Sequence, residues 1–227
     1  QALYPIVEYA FKHPLTQEVA RGSMLSERRS RTHAAVARAI DEQAGAKLDE
    51  SAALLALHWE AAGEPLLAAR WHRRAAAWVG RSDPLQAVRH MQRVLAVTED
   101  LDESPERDAL RLESCGSLLG QGGWRIGLSR DEAEAIFAEG RRLADLRRDT
   151  DTAIALCIGY GATNGFRGNP RRYNELTRTA VDLIDDRTSA GAAAAAHSPG
   201  FGYSSYCLGQ IEQALEHVRI GLRLAEG

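Results

Sequence analysis

The chain has 227 residues, of which 44% are hydrophobic and 26% are charged, close to the usage of ordinary soluble domains. No apolar run approaches the roughly 20 residues needed to cross a bilayer, so no membrane contact is expected. The formal net charge of −3 argues against nucleic acid as the partner, because a protein built to bind it is expected to carry a strongly basic face.

Helical periodicity dominates the chain, and the alternation typical of a half-buried strand is confined to residues 7–13. Cap residues mark several helix starts. Asp83 precedes a proline, Pro84, at a first helical position, and Ser129 with Glu132 forms a capping-box pattern. The connections are short, so neighbouring helices are expected to run antiparallel. The pattern predicts helices at about 14–25, 27–44, 50–62, 65–80, 84–98, 105–121, 130–147, 151–166, 170–186, 190–207 and 210–226.

One of these helices, 190–207, contains a potential interruption. Ser198, Pro199 and Gly200 stand in its middle. Proline has no backbone N–H and its ring crowds the carbonyl four residues earlier, so the helix is predicted to break or kink there.

The cysteines indicate the redox compartment. Cys115, Cys157 and Cys207 lie far apart, and none belongs to a Cys-x-x-Cys pair. This usage predicts buried free thiols in a cytoplasmic protein rather than a disulfide framework.

A pattern recurs in the second helix of successive helix pairs. A small residue is followed four positions later by a larger apolar residue, and Tyr173 replaces the small residue in one copy. The matching residues are Ala87 with Met91, Ala133 with Phe137, and Ala214 with Val218 after a turn at Gly209. A first-helix pattern, Trp71, Ala75 and Trp78, precedes the Ala87 copy.

This pattern resembles the tetratricopeptide repeat, although the copies recur roughly every 40 residues rather than about every 34. The resemblance covers roughly residues 50–227. It implies an all-α fold, a right-handed α-α superhelical solenoid of helix pairs. In such a solenoid each pair buries its apolar face against the next, and the concave surface binds ligands.

The N-terminal segments carry a second resemblance. Residues 9–20, the arginine-rich segment 27–34 and the Ala-Leu-His-Trp-Glu-Ala-Ala-Gly segment 56–63 occur in an order that resembles large signalling ATPases of the STAND class. That class includes predicted ATPases linked to class III adenylate/guanylate cyclase domains. The resemblance implies that residues 1–25 are the remnant of a winged-helix-like module and that residues 26–227 are the repeat domain. It also implies a longer parent protein.

Catalytic motifs are not recognisable in the chain. A phosphate-binding loop needs a lysine after Gly-x-x-x-x-Gly, and neither lysine, Lys12 or Lys47, fits that motif. No two histidines stand four residues apart, so no simple two-ligand helix site is predicted. We therefore expect no cofactor, no metal and no catalysis from this chain itself. Two alternatives stay open: part of a catalytic cyclase or NTPase unit, or part of a STAND-type transcription regulator.

The candidate interface lies on one predicted helix. Arg70 and Arg74 stand beside Trp71 and Trp78, and arginine next to tryptophan is typical of interface hot spots; a plain solvated helix face is the alternative. The expected partner is another protein, a small effector or the parent's own NTPase or cyclase domains, and the expected role is regulatory: the segment conveys binding to those domains. A homodimer is an alternative, because the resemblance implies that class III cyclases work as dimers.

Overall fold

The computed structural model describes residues 19, 22, 25–80, 82–120, 123 and 125–226. Within these residues every regular element is helical, so the predicted all-α class is confirmed. The helices are α1 (Ser26–Ala44), α2 (Ala52–Ala62), α3 (Pro65–Val79), α4 (Pro84–Val97), α5 (Pro105–Gly120), α6 (Arg130–Arg147), α7 (Thr150–Phe166), α8 (Pro170–Asp182), α9 (Ala190–Ala195), α10 (Tyr203–Cys207) and α11 (Ile211–Glu226). A 3₁₀ turn, Gly45–Lys47, follows α1, and a π-helical segment, Ala196–Gly202, joins α9 to α10.

The predicted helix 14–25, and the winged-helix-like segment 1–25 apart from residues 19, 22 and 25, lie outside the described residues. Across the described helices, no stretch has the combined length and apolar character that spanning a bilayer requires.

Cap residues set several of the observed helix starts. The Asp83 carboxylate accepts a hydrogen bond from the Gln86 backbone N–H at 3.0 Å. Ser129 and Glu132 make the full capping box: the Glu132 N–H donates to the Ser129 hydroxyl (3.1 Å), and the Ser129 N–H donates to the Glu132 carboxylate (2.7 Å). These bonds satisfy N–H groups that have no partner within a helix.

One helix is shorter than predicted. α8 ends at Asp182 instead of 186. Just beyond it the Asp185 carboxylate accepts hydrogen bonds from the Arg187 N–H and from the Thr188 hydroxyl, both at 3.0 Å. Such a local side-chain turn offers the backbone an alternative to the helix.

Consecutive helices pack against each other along the chain, in the pairs α1/α2, α3/α4, α5/α6, α7/α8 and, after the π segment, α9–α10/α11. The first helices of neighbouring pairs also touch: α3 contacts α5, α5 contacts α7, and α7 contacts α9. From α3 onward, the first helices of these pairs therefore form one layer.

The recurring small residue lies at the same place in each second helix. Ala87, Ala133, Tyr173 and Ala214 are the fourth residues of α4, α6, α8 and α11, and all four are buried. Of the larger partners, Met91 is buried, Phe137 is partly buried and stacks on Tyr160 with ring centroids 4.5 Å apart, and Val218 is half-buried. Ala75 is buried in α3, and Gly209 has a positive φ of 75° in the turn before α11.

Two glycines of α7 make room for the bulky ring of Tyr173. A Cβ placed on Gly165 would lie 2.6 Å from Cδ1 of Tyr173, and one on Gly161 would lie 2.8 Å from its Cδ2. The ring is 5% exposed, and its hydroxyl donates to the Pro199 carbonyl at 3.4 Å. In the other copies a small alanine on the second helix leaves the space for close packing. Here the glycines of α7 leave that space for Tyr173 of α8.

The helix predicted over residues 190–207 accommodates Pro199 without a break. α9, the π segment and α10 run as one continuous helix over residues 190–207. The predicted break is therefore absent from this helix. The π turn is a local widening of the helix, and it contains the proline, which would otherwise clash with the carbonyl of the preceding turn.

Arginines of α5 donate hydrogen bonds to backbone carbonyls at the C-terminal end of α4. The Arg107 guanidinium donates to the Thr98 carbonyl (3.2 Å), and Arg111 donates to the Leu95 carbonyl (2.9 Å). Arg111 also pairs with Glu139 of α6 at 2.9 Å. Carbonyls at a helix C-terminus lack intrahelical donors and favour positive charge, so this network ties α4, α5 and α6 together.

Two of the three cysteines are buried as predicted, and one is not. Cys115 and Cys157 are buried, and burial raises the pKa of Cys115 to about 12. The prediction of a buried thiol is wrong for Cys207, which is exposed. Cys207 is the last residue of α10, at the turn into α11.

The contact between Gly165 and Tyr173 can be tested by a substitution whose cost in stability depends on the background. Gly165→Ala should destabilise the protein by about 1–3 kcal/mol through overpacking. In the Tyr173→Ala background the ring is gone and only the Cβ of residue 173 stays near the added Cβ, at 3.2 Å, so the same change should cost less than about 1 kcal/mol. Urea denaturation of the four proteins measures both.

Gly116→Ala is the matched control. It also lies within a helix, but the nearest atom to its added Cβ is 3.8 Å away. This change should stabilise the protein by about 0.5–1 kcal/mol in either background. A Gly165→Ala effect that is the same with and without the Tyr173 ring contradicts the proposed contact.

Candidate functional site

A groove of about 570 Å³ opens between α1, α2, α3 and α5. We call it the arginine–tryptophan groove. Its lining residues are Asp41, Trp59, Leu67, Arg70, Trp71, Arg73, Arg74, Glu106, Ala109, Leu110 and Glu113. Since α3 and α5 belong to successive helix pairs, the groove exists only where the two pairs pack side by side.

Ion pairs cross the groove and border it. Arg70 of α3 makes a two-pronged pair with Glu106 of α5, one prong being Nη2 to Oε2 at 2.6 Å. Arg73 lies 3.4 Å from Glu113 of α5. The hydrogen bond from Arg70 lowers the pKa of Glu106 and raises the pKa of Arg70. The rim therefore presents fixed charges of both signs.

Two tryptophans form the apolar part of the groove. Trp71 is half-buried, and the Arg74 guanidinium lies 5.2 Å from its ring centroid, a cation–π contact that also orients the arginine. Arg74 Nε additionally donates to Asp49 at 2.6 Å. The groove therefore presents a flat aromatic face beside an arginine that is held by contacts with both Trp71 and Asp49.

Trp59 contributes an unpaired polar atom. Its side chain is 7% exposed, and its indole N–H makes no hydrogen bond within the described part of the chain. A buried donor without an acceptor costs about 1–3 kcal/mol. Trp59 itself lines the groove, so one residue of the groove carries a polar atom that has no partner in the described part of the chain.

The predicted interface residues separate into two groups. Arg70, Trp71 and Arg74 line the groove, whereas Trp78 does not and is 51% exposed. The sequence reasoning missed Trp59 and Glu106. Trp59 stands in the 56–63 segment, but only the fold brings it against α3. Glu106 follows Pro105 in the first turn of α5, and nothing in the sequence connects it to Arg70.

Six histidines, all within the described ranges, meet in three pairs that the sequence spacing did not indicate. The Nδ1 atoms lie 2.9 Å apart between His33 and His58, and 2.8 Å apart between His72 and His90 and between His197 and His217. In the ranges that the structure describes, no three metal-ligating side chains come together.

No protein-family model matches the chain, and no curated protein is significantly similar to it in sequence.

The charges of the groove should contribute little to folding. The Arg70 and Glu106 side chains are 50% and 40% exposed, and exposed ion pairs typically contribute 0–1 kcal/mol. A double-mutant cycle with Arg70→Ala and Glu106→Ala should give a coupling energy below about 1 kcal/mol. In 1 M NaCl, where the screening length falls to about 3 Å, the coupling should shrink further.

The pair between Arg111 and Glu139 is the control for this cycle. These side chains are 13% and 23% exposed, so their coupling should be larger and less sensitive to salt. Equal salt sensitivity of the two pairs would show that the groove charges are not solvated as their exposure implies.

Proposed function

We propose that this chain is a tetratricopeptide-like right-handed solenoid that acts as a protein-interaction and regulatory segment of a larger multidomain signalling ATPase or nucleotide cyclase. Two features support the solenoid. The fourth residue of α4, α6, α8 and α11 is buried in every copy, and α3, α5, α7 and α9 touch in sequence. Stacked helix pairs with one layer of first helices are what a solenoid requires.

The observation that carries the binding function is the unpaired, buried N–H of Trp59 beside the arginine–tryptophan groove. A polypeptide offers a backbone carbonyl at every residue, and such a carbonyl can accept this hydrogen bond. An apolar side chain of the same ligand would pack on Trp71, next to Leu67 and Leu110. The mixed charges of the rim suit flanking residues of both signs.

Binding here would act on the relative position of two helix pairs, because the groove walls come from α3 and α5. A ligand with different affinities for two arrangements of these pairs shifts the equilibrium between them. In the proposed parent protein that shift would reach the NTPase or cyclase domain. The proposed partner is a separate protein or those domains themselves, in the cytoplasm, and a second copy is the alternative.

Peptide binding tests the proposal directly. A library of random peptides is selected on the wild-type chain, and the affinities of the selected peptides are then measured by the fluorescence of the groove tryptophans. Arg70→Ala combined with Arg74→Ala should weaken binding at least about tenfold, which corresponds to about 1.4 kcal/mol. The lost ion pairs are exposed, so the fold should survive.

Arg172→Ala provides the matched control, since Arg172 of α8 is 48% exposed and pairs with Glu175 outside the groove. The Arg172→Ala variant should bind the same peptides with the affinity of the wild type. Light scattering on the same samples shows whether a second copy occupies the groove instead. Peptides that bind the groove variant and the wild type equally well would contradict the proposed site.

A further inference from the structure

The three histidine pairs occupy equivalent positions in three helix pairs. His33, His72 and His197 are each the eighth residue from the start of a first helix, counting from Ser26, Pro65 and Ala190. Their partners His58, His90 and His217 are each the seventh residue of a second helix, in α2, α4 and α11. The contact is therefore a feature of the repeated unit rather than three unrelated encounters.

The two helix pairs in between carry apolar residues at the same positions. α5 and α6 have Leu112 and Ile136, which share one apolar cluster. α7 and α8 have Cys157 and Leu176, which are both buried. The position thus accepts ordinary core packing, and the histidines are not needed for the helices to pair.

Each histidine contact depends on the number of protons present. An Nδ1-to-Nδ1 distance of 2.8–2.9 Å is a hydrogen bond in which one ring donates and the other accepts. One added proton can go to the outer nitrogen of the donor ring without breaking the bond. A second added proton must go to the accepting nitrogen, and two N–H groups then face each other.

In the pair formed by His72 and His90, the donor and the acceptor of the hydrogen bond can be assigned. His72 Nε2 lies 2.5 Å from the Glu60 carboxylate of α2, so it carries the proton that is donated there. In neutral His72 the Nδ1 atom is then the acceptor, and His90 Nδ1 donates. Glu60 also accepts two hydrogen bonds from Arg93 of α4, at 2.8 and 2.6 Å, which hold it ionised.

The surroundings of the rings favour their neutral forms. Burial is the first cause that lowers the pKa of His58, His72, His90, His197 and His217 below its ordinary value. The charged groups that act on the middle pair are Glu60, which opposes the shift, and Arg93, which adds to it. For His217 they are Glu216 and Arg178 of α8, and for His58 the neighbouring His33.

We propose that the three histidine pairs are a pH-sensitive device that holds their helix pairs closed near neutral pH and loosens them on mild acidification. The sign follows from linkage. A histidine whose pKa is lowered in the folded state contributes stability that is fully present above the unfolded value of about 6.5 and is lost as the pH falls below it.

His72 and its partner Glu60 are direct sequence neighbours of two groove tryptophans. His72 follows Trp71 in α3, and Glu60 follows Trp59 in α2. Loosening of α2, α3 and α4 would therefore displace two tryptophans that line the groove. The pH dependence of stability does not rely on the proposed binding function, so each can fail without the other.

Chemical denaturation between pH 8 and pH 5 tests the proposal. Below about pH 6.5 unfolding should take up at least about one proton per pair, so each pair should raise the unfolding equilibrium constant by about tenfold per pH unit. His72→Leu with His90→Ile copies the residues of the neighbouring helix pair. The slope of the logarithm of the unfolding constant against pH reports the number of protons taken up on unfolding, and in this variant that number should fall by about one. The stability at pH 8 should stay the same.

The other two pairs serve as parallel tests. His33→Leu with His58→Ile, and His197→Leu with His217→Ile, should each remove a similar part of the slope, while carboxylate titrations remain in all variants. An unchanged slope in all three variants overturns the proposal.

An NMR titration of the wild-type imidazoles covers the case in which a variant does not fold. The rings of His58, His72, His90, His197 and His217 should titrate below their ordinary range because of burial, with the last step accompanied by loss of native signals. If these rings titrate independently near about 6.5, the proposal is overturned. Addition of ZnCl₂ at pH 7.5 gives a further test. A thermal midpoint that rises with zinc and depends on the pairs would overturn the proposal by identifying them as metal ligands.

Discussion

The close packing around the fourth residue of each second helix is the constraint on which the rest of this structure depends. A helix pair cannot bury its apolar face alone, so each pair needs a neighbour at short distance. Alanine supplies the space at three crossings. At the fourth, Tyr173 of α8 fits because α7 carries glycine at positions 161 and 165. The volume at the crossing is therefore constrained, and the helix that supplies the space can differ.

Tight packing of helices also determines where polar groups can go. Arginines 107 and 111 reach carbonyls at the end of α4, and histidines pair with each other across three helix pairs. These groups are satisfied by neighbours on other helices, as buried polar groups generally are. The indole N–H of Trp59 departs from this rule in the described residues, and Trp59 is one of the residues that line the groove.

The groove shares α1, α2 and α3 with two of the three histidine pairs, and the groove and the pairs place opposite demands on these helices. A binding surface needs α3 held firmly against α2 and α5. The pair formed by His72 and His90 makes the attachment of α3 depend on the number of protons bound. A segment that conveys a signal needs such a bistable contact, because a surface that cannot change its arrangement cannot shift an equilibrium elsewhere.

The amino-acid sequence by itself determined the all-α class, most helix bounds and the recurring packing positions. Apolar periodicity, capping residues and proline are local features, and their effects act within a few residues. It also placed three groove residues, Arg70, Trp71 and Arg74, on one helix. The tertiary structure alone decided which of those residues share a cavity, and it separated Trp78 from them.

The histidine pairs show why. Their members are 25, 18 and 20 residues apart along the chain, so no fixed spacing reveals them. What they share is their position within each helix, which has meaning only once the helices are paired. Contacts between helices depend on where the helices cross, which no local pattern encodes.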